Sequence, residues 1–115
     1  MSEAGPIVRV QTRYGVFNID SECDKKMATA LKNGEYPTKN PIDVARQFVN
    51  EKSVVVDIGA HIGTFAIPIA KEVKKVIAFE PSPDAYPLLV QNAKTNEVEI
   101  ETINKALGSH VGSGT

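Results

Sequence analysis

The stretch Asp57-Ile58-Gly59-Ala60-His61-Ile62-Gly63 constrains this chain more than any other. It follows directly on Ser53-Val54-Val55-Val56 and leads into an apolar tract from Thr64 to Val73. A continuous β-branched run is the pattern of a strand buried on both faces of a parallel sheet, and the tract after it reads as a helix kinked at Pro68, which has no N–H to donate. Lys75 to Phe79 repeats the buried-strand pattern and ends at Glu80. Ser82 as N-cap, with Pro83 next, opens a second helix through Leu88, Leu89 and Ala93 that stops near Asn96. Val98 to Asn104 alternates like a third strand. Strand, helix, strand, helix, strand with short connections signals a parallel, doubly wound sheet.

Ahead of this unit, residues 7–20 read as two short strands turning near Tyr14-Gly15. Ser21 with Asp24 resembles a capping box. The helix it would open carries Cys23, Met27, Ala30 and Leu31 on one face and stops at Asn33-Gly34. Asn40 as N-cap and Pro41 at the first helical position begin another, turning Ile42, Ala45, Phe48 and Val49 toward a core. The expected fold class is therefore α/β. It is a Rossmann-like doubly wound parallel sheet, partial, with its first three strands and two helices, preceded by a β-hairpin and two helices. The boundary falls at residue 53, with the hairpin and helices in 1–52 and the partial Rossmann-like cofactor domain in 53–115.

The loop between the first buried strand and its helix is where ligand chemistry belongs. Gly59 permits a tight turn and lets ligand atoms approach the backbone. The helix beginning near Ile62 offers unpaired N–H groups and the positive end of its dipole. Glu80 closes the neighbouring strand about 20 residues further on, where an acid takes both hydroxyls of a ribose. The ligand class is a nucleoside-containing cofactor, and spacing alone leaves NAD and S-adenosylmethionine open. Two details favour the second. The dinucleotide fingerprint uses three glycines around a pyrophosphate, whereas this loop reads D-x-G-x-x-x-G. Asp57 would also repel a pyrophosphate but suits a cationic ammonium and sulfonium.

Composition narrows the remaining classes. With 115 residues and 42% hydrophobic, the chain suits one small folded domain. Its longest apolar run, Phe65 to Ala70, is far short of the ~20 residues of a membrane span. No basic-then-apolar leader is visible, and the single Cys23 cannot form an internal disulfide, so the expected setting is cytoplasmic, with Cys23 in the core. Thirteen basic against 14 acidic residues, a net charge of −1, make no electrostatic case for nucleic acid or membrane.

The segments VVVDIGAHIGTFAIPIAK, KVIAFEPSPDAYPLLVQNAKTN and VEIETINKALGS resemble the FkbM family of S-adenosylmethionine-dependent methyltransferases over roughly residues 53–115. Phe79-Glu80-Pro81-Ser82-Pro83 and the later Asn104-Lys105-Ala106-Leu107-Gly108 carry it most specifically. The resemblance implies that Asp57, Gly59, Ala60 and Gly63 hold the methionine end and approach the adenosine. It implies Glu80 on the ribose hydroxyls, Pro81 and Ser82 beside the adenine, and Asn104 or Lys105 nearest the adenine amino group. His61 stands where the family usually shows Asn and can still donate a hydrogen bond. The implied activity is O-methylation of a small molecule or sugar, without a metal and with nucleic acid an unlikely partner.

Phe65-Ala66-Ile67-Pro68-Ile69-Ala70-Lys71 also resembles a tract in tRNA guanine methyltransferases, an alternative that Glu80-Pro81-Ser82-Pro83 and the lack of basic bias weigh against. A non-catalytic binding or assembly module is a further alternative, and an NAD-binding domain comes last. A βαβ unit takes about 30 residues and the family sheet on the order of 200. The chain thus reads as an N-terminal fragment with no acceptor site and no assignable catalytic residue, inactive alone, with His110 to Thr115 resembling a turn into a further strand. Ser53 to Asp57 would then form an open sheet edge, the expected seam of a homodimer.

Overall fold

A computed structural model describes residues 6–107. Strands β1 (Ile7–Thr12) and β2 (Gly15–Asp20) pair antiparallel in register from Ile7↔Asp20 to Thr12↔Gly15. Thr12 closes their turn, its hydroxyl accepting from Tyr14 N at 3.1 Å and donating to Gly15 O at 2.7 Å. Helices α1 (Lys25–Lys32) and α2 (Lys39–Arg46) follow. The second part alternates as β3 (Val54–Ile58), α3 (Ala66–Ala70), β4 (Lys75–Phe79), α4 (Ala85–Thr95) and β5 (Glu101–Ile103). These strands form one parallel sheet in the order β3-β4-β5, the expected Rossmann-like α/β arrangement.

One apolar core joins both parts. Phe17 and Ile19 of β2, Ile42 of α2, Ile67 and Ile69 of α3, Val76 of β4 and Leu89 of α4 are all fully buried in it. The hairpin is a separate sheet whose β2 packs on α4, so the β3 edge stays uncovered among the described residues. No helix among the described residues is long and apolar enough to cross a membrane.

Several local expectations are corrected. The turn before α1 is held by Asp20, not by a Ser21–Asp24 box: Asp20 Oδ1 accepts from Glu22 N (2.9 Å) and Cys23 N (3.0 Å), while Ser21 Oγ donates to Pro6 O. A carboxylate at the end of β2 reaches those amides first, which shifts the helix start to Lys25 and leaves Cys23 exposed instead of in the core. The stop of α1 is as expected, with Gly34 N bonded to Leu31 O and Glu35 N to Ala30 O, the paired bonds of a Schellman ending. Helix α2 starts at Lys39 with Thr38, not Asn40, as N-cap, because Ile42 N already bonds Thr38 O. It ends at Arg46, leaving Phe48 79% exposed outside the core.

Strand β3 is not buried on both faces. Val54, Val56 and Ile58 are more than half exposed, since α3 and α4 leave its second face uncovered. Helix α3 runs only from Ala66 to Ala70, so the helix expected over Thr64 to Val73 with a kink at Pro68, and its start near Ile62, are corrected: Pro68 gives no N–H to the helix ladder, and the chain turns on either side of it. Strand β5 pairs only over Glu101–Ile103. The turn expected at His110 to Thr115 lies outside the described residues.

Candidate cofactor site

The loop after β3 is bound tightly to the end of β4. Gly59 N and Ala60 N both donate to Phe79 O, at 2.8 and 2.9 Å. Gly59 has φ +81 and no atom within 4 Å of where a Cβ would stand, so the turn presents bare backbone to open space. His61 follows at φ +57, a left-handed conformation uncommon for a residue with a side chain. Its N–H donates to Glu80 Oε1 at 2.6 Å. Gly63, at φ +102, faces the other way. A Cβ there would stand 2.7 Å from Ile67 Cδ1 and 3.2 Å from Leu89 Cδ1. The second glycine lets the loop settle on the core and does not line a ligand space.

Glu80 is 6% exposed and fixed from both sides, with Oε2 accepting from Ser82 N at 2.9 Å. A carboxylate offers about four acceptor lone-pair sites, so roughly two remain for hydroxyl donors. Ser82 Oγ in turn accepts from Asp84 N (3.2 Å) and Ala85 N (3.1 Å), closing the turn into α4, which starts at Ala85 with Asp84 as N-cap and so two residues later than expected. Asn104 Nδ2 donates to Glu80 O at 2.8 Å and more weakly to Pro81 O at 3.4 Å, tying the end of β5 to the same strand end. Its Oδ1 is the atom suited to an amino-group donor.

Asp57, on β3 and paired with Ala78 of β4, is electrostatically exposed to Glu80. Its Oδ2 is buried without a hydrogen-bond partner. Burial first, and the Glu80 charge second, hold this carboxyl above its ordinary 3.8. A hollow of about 510 Å³ opens beside it, lined by Asp57, Gly59, Ala60, His61, Thr64 and Phe65, with Met27, Thr38 and Pro41 opposite. A carboxylate that lines an open hollow, with its second oxygen buried and unpartnered behind it, suits a cationic group, the ammonium of a methionine end.

A carboxyl raised on folding contributes no destabilisation below its unfolded value near 3.8, and its cost to the fold appears as pH rises through the folded value. Asp57→Asn is therefore expected to raise the melting temperature at pH 7, to leave it unchanged at strongly acid pH, and to weaken S-adenosylhomocysteine binding. Thermal melts at both pH values, with calorimetric titration, check this; a lower melting temperature at pH 7 refutes it.

The supports of the loop come from side chains that pattern reasoning passed over. Pro68 has no N–H for the carbonyl four residues earlier, and that carbonyl, Thr64 O, accepts instead from Tyr36 Oη (2.6 Å) and Thr38 Oγ1 (2.9 Å). Burial pushes the Tyr36 phenol well above its ordinary range, against a smaller opposing effect of the Thr38 hydrogen bond, so it stays a donor. Asn92, fully buried on α4, donates to Ile62 O at 2.9 Å and Asn18 O at 3.1 Å. Its Oδ1 accepts from Asn18 N (2.7 Å) and Asn18 Nδ2 (2.8 Å). A signal was present: an Asn on the apolar stripe Leu88, Leu89, Ala93 must have its polar atoms satisfied inside.

Residues 36–110 match the profile of the TRM5/TYW2 methyltransferase domain. The chain belongs to that family. Over 51 residues it is 49% identical to the tRNA(Phe) (4-demethylwyosine(37)-C(7)) aminocarboxypropyltransferase of Methanocaldococcus jannaschii, covering 43% of this chain and 20% of that protein. Over 57 residues it is 40% identical to the tRNA (guanine(37)-N(1))-methyltransferase of Ciona intestinalis, covering 50% and 12%. The crystal structure of M. jannaschii TYW2 in complex with AdoMet superposes with a TM-score of 0.67 at 28% identity, over 90% of this chain and 45% of that one. The chain thus spans a fifth or less of these curated relatives and under half of the solved relative.

The cofactor of this TRM5/TYW2 domain is S-adenosylmethionine, as the sequence led us to expect. The FkbM assignment is corrected. The resemblance rested on an aspartate, a glycine turn and an acid expected to hold the cofactor, and such residues report the ligand more than the family. The small-molecule acceptor, with nucleic acid unlikely, is overturned as well, because the matched relatives modify tRNA. Net charge misled here: it sampled a stretch equal to a fifth or less of those proteins.

Proposed function

We propose that this TRM5/TYW2 domain is the cofactor-binding part of a tRNA methyltransferase acting on the nucleobase at position 37. The observation that carries the reading is the pairing, on adjoining strand ends, of a carboxylate oxygen without a partner at Asp57 and a carboxylate with spare acceptor capacity at Glu80. Two relatives whose names place the modified nucleotide at position 37 support the acceptor. When bound, S-adenosylmethionine supplies a methyl group already activated by the sulfonium. Asp57 would neutralise the ammonium, and the bare backbone at Gly59 and Ala60 would meet the methionine arm. Glu80 would accept from the ribose hydroxyls. Pro81 and Ser82 would take the adenine, and Asn104 Oδ1 would accept from its amino group.

A second reading has a specific observation behind it. The relative 49% identical over 51 residues transfers an aminocarboxypropyl group, so the other arm on the same sulfur is the competing donor. Incubating the intact protein and unmodified tRNA with cofactor labelled either in the methyl or in the aminocarboxypropyl carbons separates them. Methyl label in nucleoside 37 is the expected result. Propyl label establishes the second reading, and no label in tRNA overturns both.

A further inference from the structure

The N-terminal elements reach the cofactor loop through one contact that neither reading uses. His61 Nε2 stands 3.2 Å from Asp24 Oδ2, in polar contact though off the line of a hydrogen bond. That carboxylate oxygen is buried and has no hydrogen-bond partner. Asp24 itself is held in place, its N–H bonded to Asp20 O at the end of β2 and its carbonyl accepting from Ala28 N in α1. The imidazole stands between two hollows, the one beside Asp57 and a smaller one of about 220 Å³ lined by Asp20, Asp24, Ser82 and Leu88. The main chain of the same residue donates to Glu80 at 2.6 Å while holding φ at +57.

We infer that Asp24 is a positioning residue for the cofactor site, acting through the His61 ring to hold the left-handed turn that presents the His61 N–H to Glu80. A non-glycine residue in this conformation is strained and persists only where surrounding contacts over-determine it. The ring contact with Asp24 and the N–H bond to Glu80 are those contacts. With Asp24 removed, the ring loses its anchor, the turn relaxes, and the Glu80 carboxylate is no longer aimed from this side. The chain from β2 through Asp20, Asp24 and His61 to Glu80 makes the hairpin part of the cofactor site and not merely its cover.

This inference rests on Glu80 holding the ribose, and the test separates the two. Binding of S-adenosylhomocysteine is measured by calorimetry for wild type, Asp24→Ala, His61→Asn, the double variant and Glu80→Ala, with a thermal melt of each. Asn tolerates positive φ, so His61→Asn removes the ring's reach without forbidding the turn. Asp24→Ala and His61→Asn are each expected to raise the dissociation constant about twofold to fivefold, the worth of one part-exposed charge contact. The double variant is expected to match the weaker single variant, because both substitutions break the same contact.

Unchanged affinity in Asp24→Ala, or losses that multiply in the double variant, overturn the inference while Glu80→Ala still loses binding. Unchanged affinity in Glu80→Ala overturns the ribose assignment itself. A merely structural role for Asp24 would lower the melting temperature and leave the affinity of the folded protein alone. Should Asp24→Ala not fold, the isosteric Asp24→Asn takes its place in the same cycle and is judged by the same two outcomes.

Discussion

Glu80→Ala is expected to weaken S-adenosylhomocysteine binding by about 1.5–3 kcal/mol, the worth of hydrogen bonds to a charged group. That corresponds to roughly tenfold to over a hundredfold in dissociation constant. The loss has two sources. The ribose hydroxyls lose their acceptor, and the amides of His61 and Ser82, now bonded to Oε1 and Oε2, lose theirs. Glu80→Gln distinguishes the two sources, since it keeps one acceptor oxygen and puts an NH₂ opposite one of those amides. It is expected to fall between wild type and Glu80→Ala in affinity. Titration calorimetry reads both, and a Glu80→Ala protein binding as tightly as wild type removes the ribose assignment.

The largest stability loss is expected at Asn92. Its amide satisfies Asn18 N and Nδ2 on one side and Asn18 O and Ile62 O on the other, in a fully buried position. Asn92→Ala leaves at least two main-chain groups buried without partners and adds a small cavity, costing about 3–5 kcal/mol. At about 4–8 °C per kcal/mol for a domain of this size, the melting temperature should fall by roughly 15 °C or more. Urea unfolding checks the free energy directly; a loss below about 1 kcal/mol would show that the Asn18–Asn92 bonds contribute little net stability. The fraction that still folds should also bind cofactor more weakly, because Ile62 O is part of the loop.

Much of the arrangement was legible in the residues because it depends on short-range rules. Alternation placed β1 and β2, the β-branched runs placed β3 and β4, and Asn33-Gly34 marked where α1 stops. The spacing from Asp57 to Glu80 carried the cofactor class, because two strand ends of a parallel sheet must lie side by side when a helix connects them. Where local signals competed, reading by pattern failed. Asp20 outbid Ser21 for the turn amides, Thr38 began α2 before Asn40 did, and Phe48 fell beyond the helix meant to bury it.

What the linear order could specify by itself was a sheet, a turn and an acid, each a matter of neighbours along the chain. Only the tertiary structure decided how the turn is held. Pro68 frees the carbonyl of Thr64, and Tyr36 and Thr38 take it up from 28 and 26 residues away. Asn18 meets Asn92 across 74 positions. Asp24 meets the ring of His61 from the far side of β2 and α1. It also turned Gly63 toward Ile67 and Leu89, away from the ligand space that the motif had suggested for it. The physical reason is common to all four. A buried polar group must find a partner and a buried surface must find a fit, and neither search is limited to neighbours in sequence.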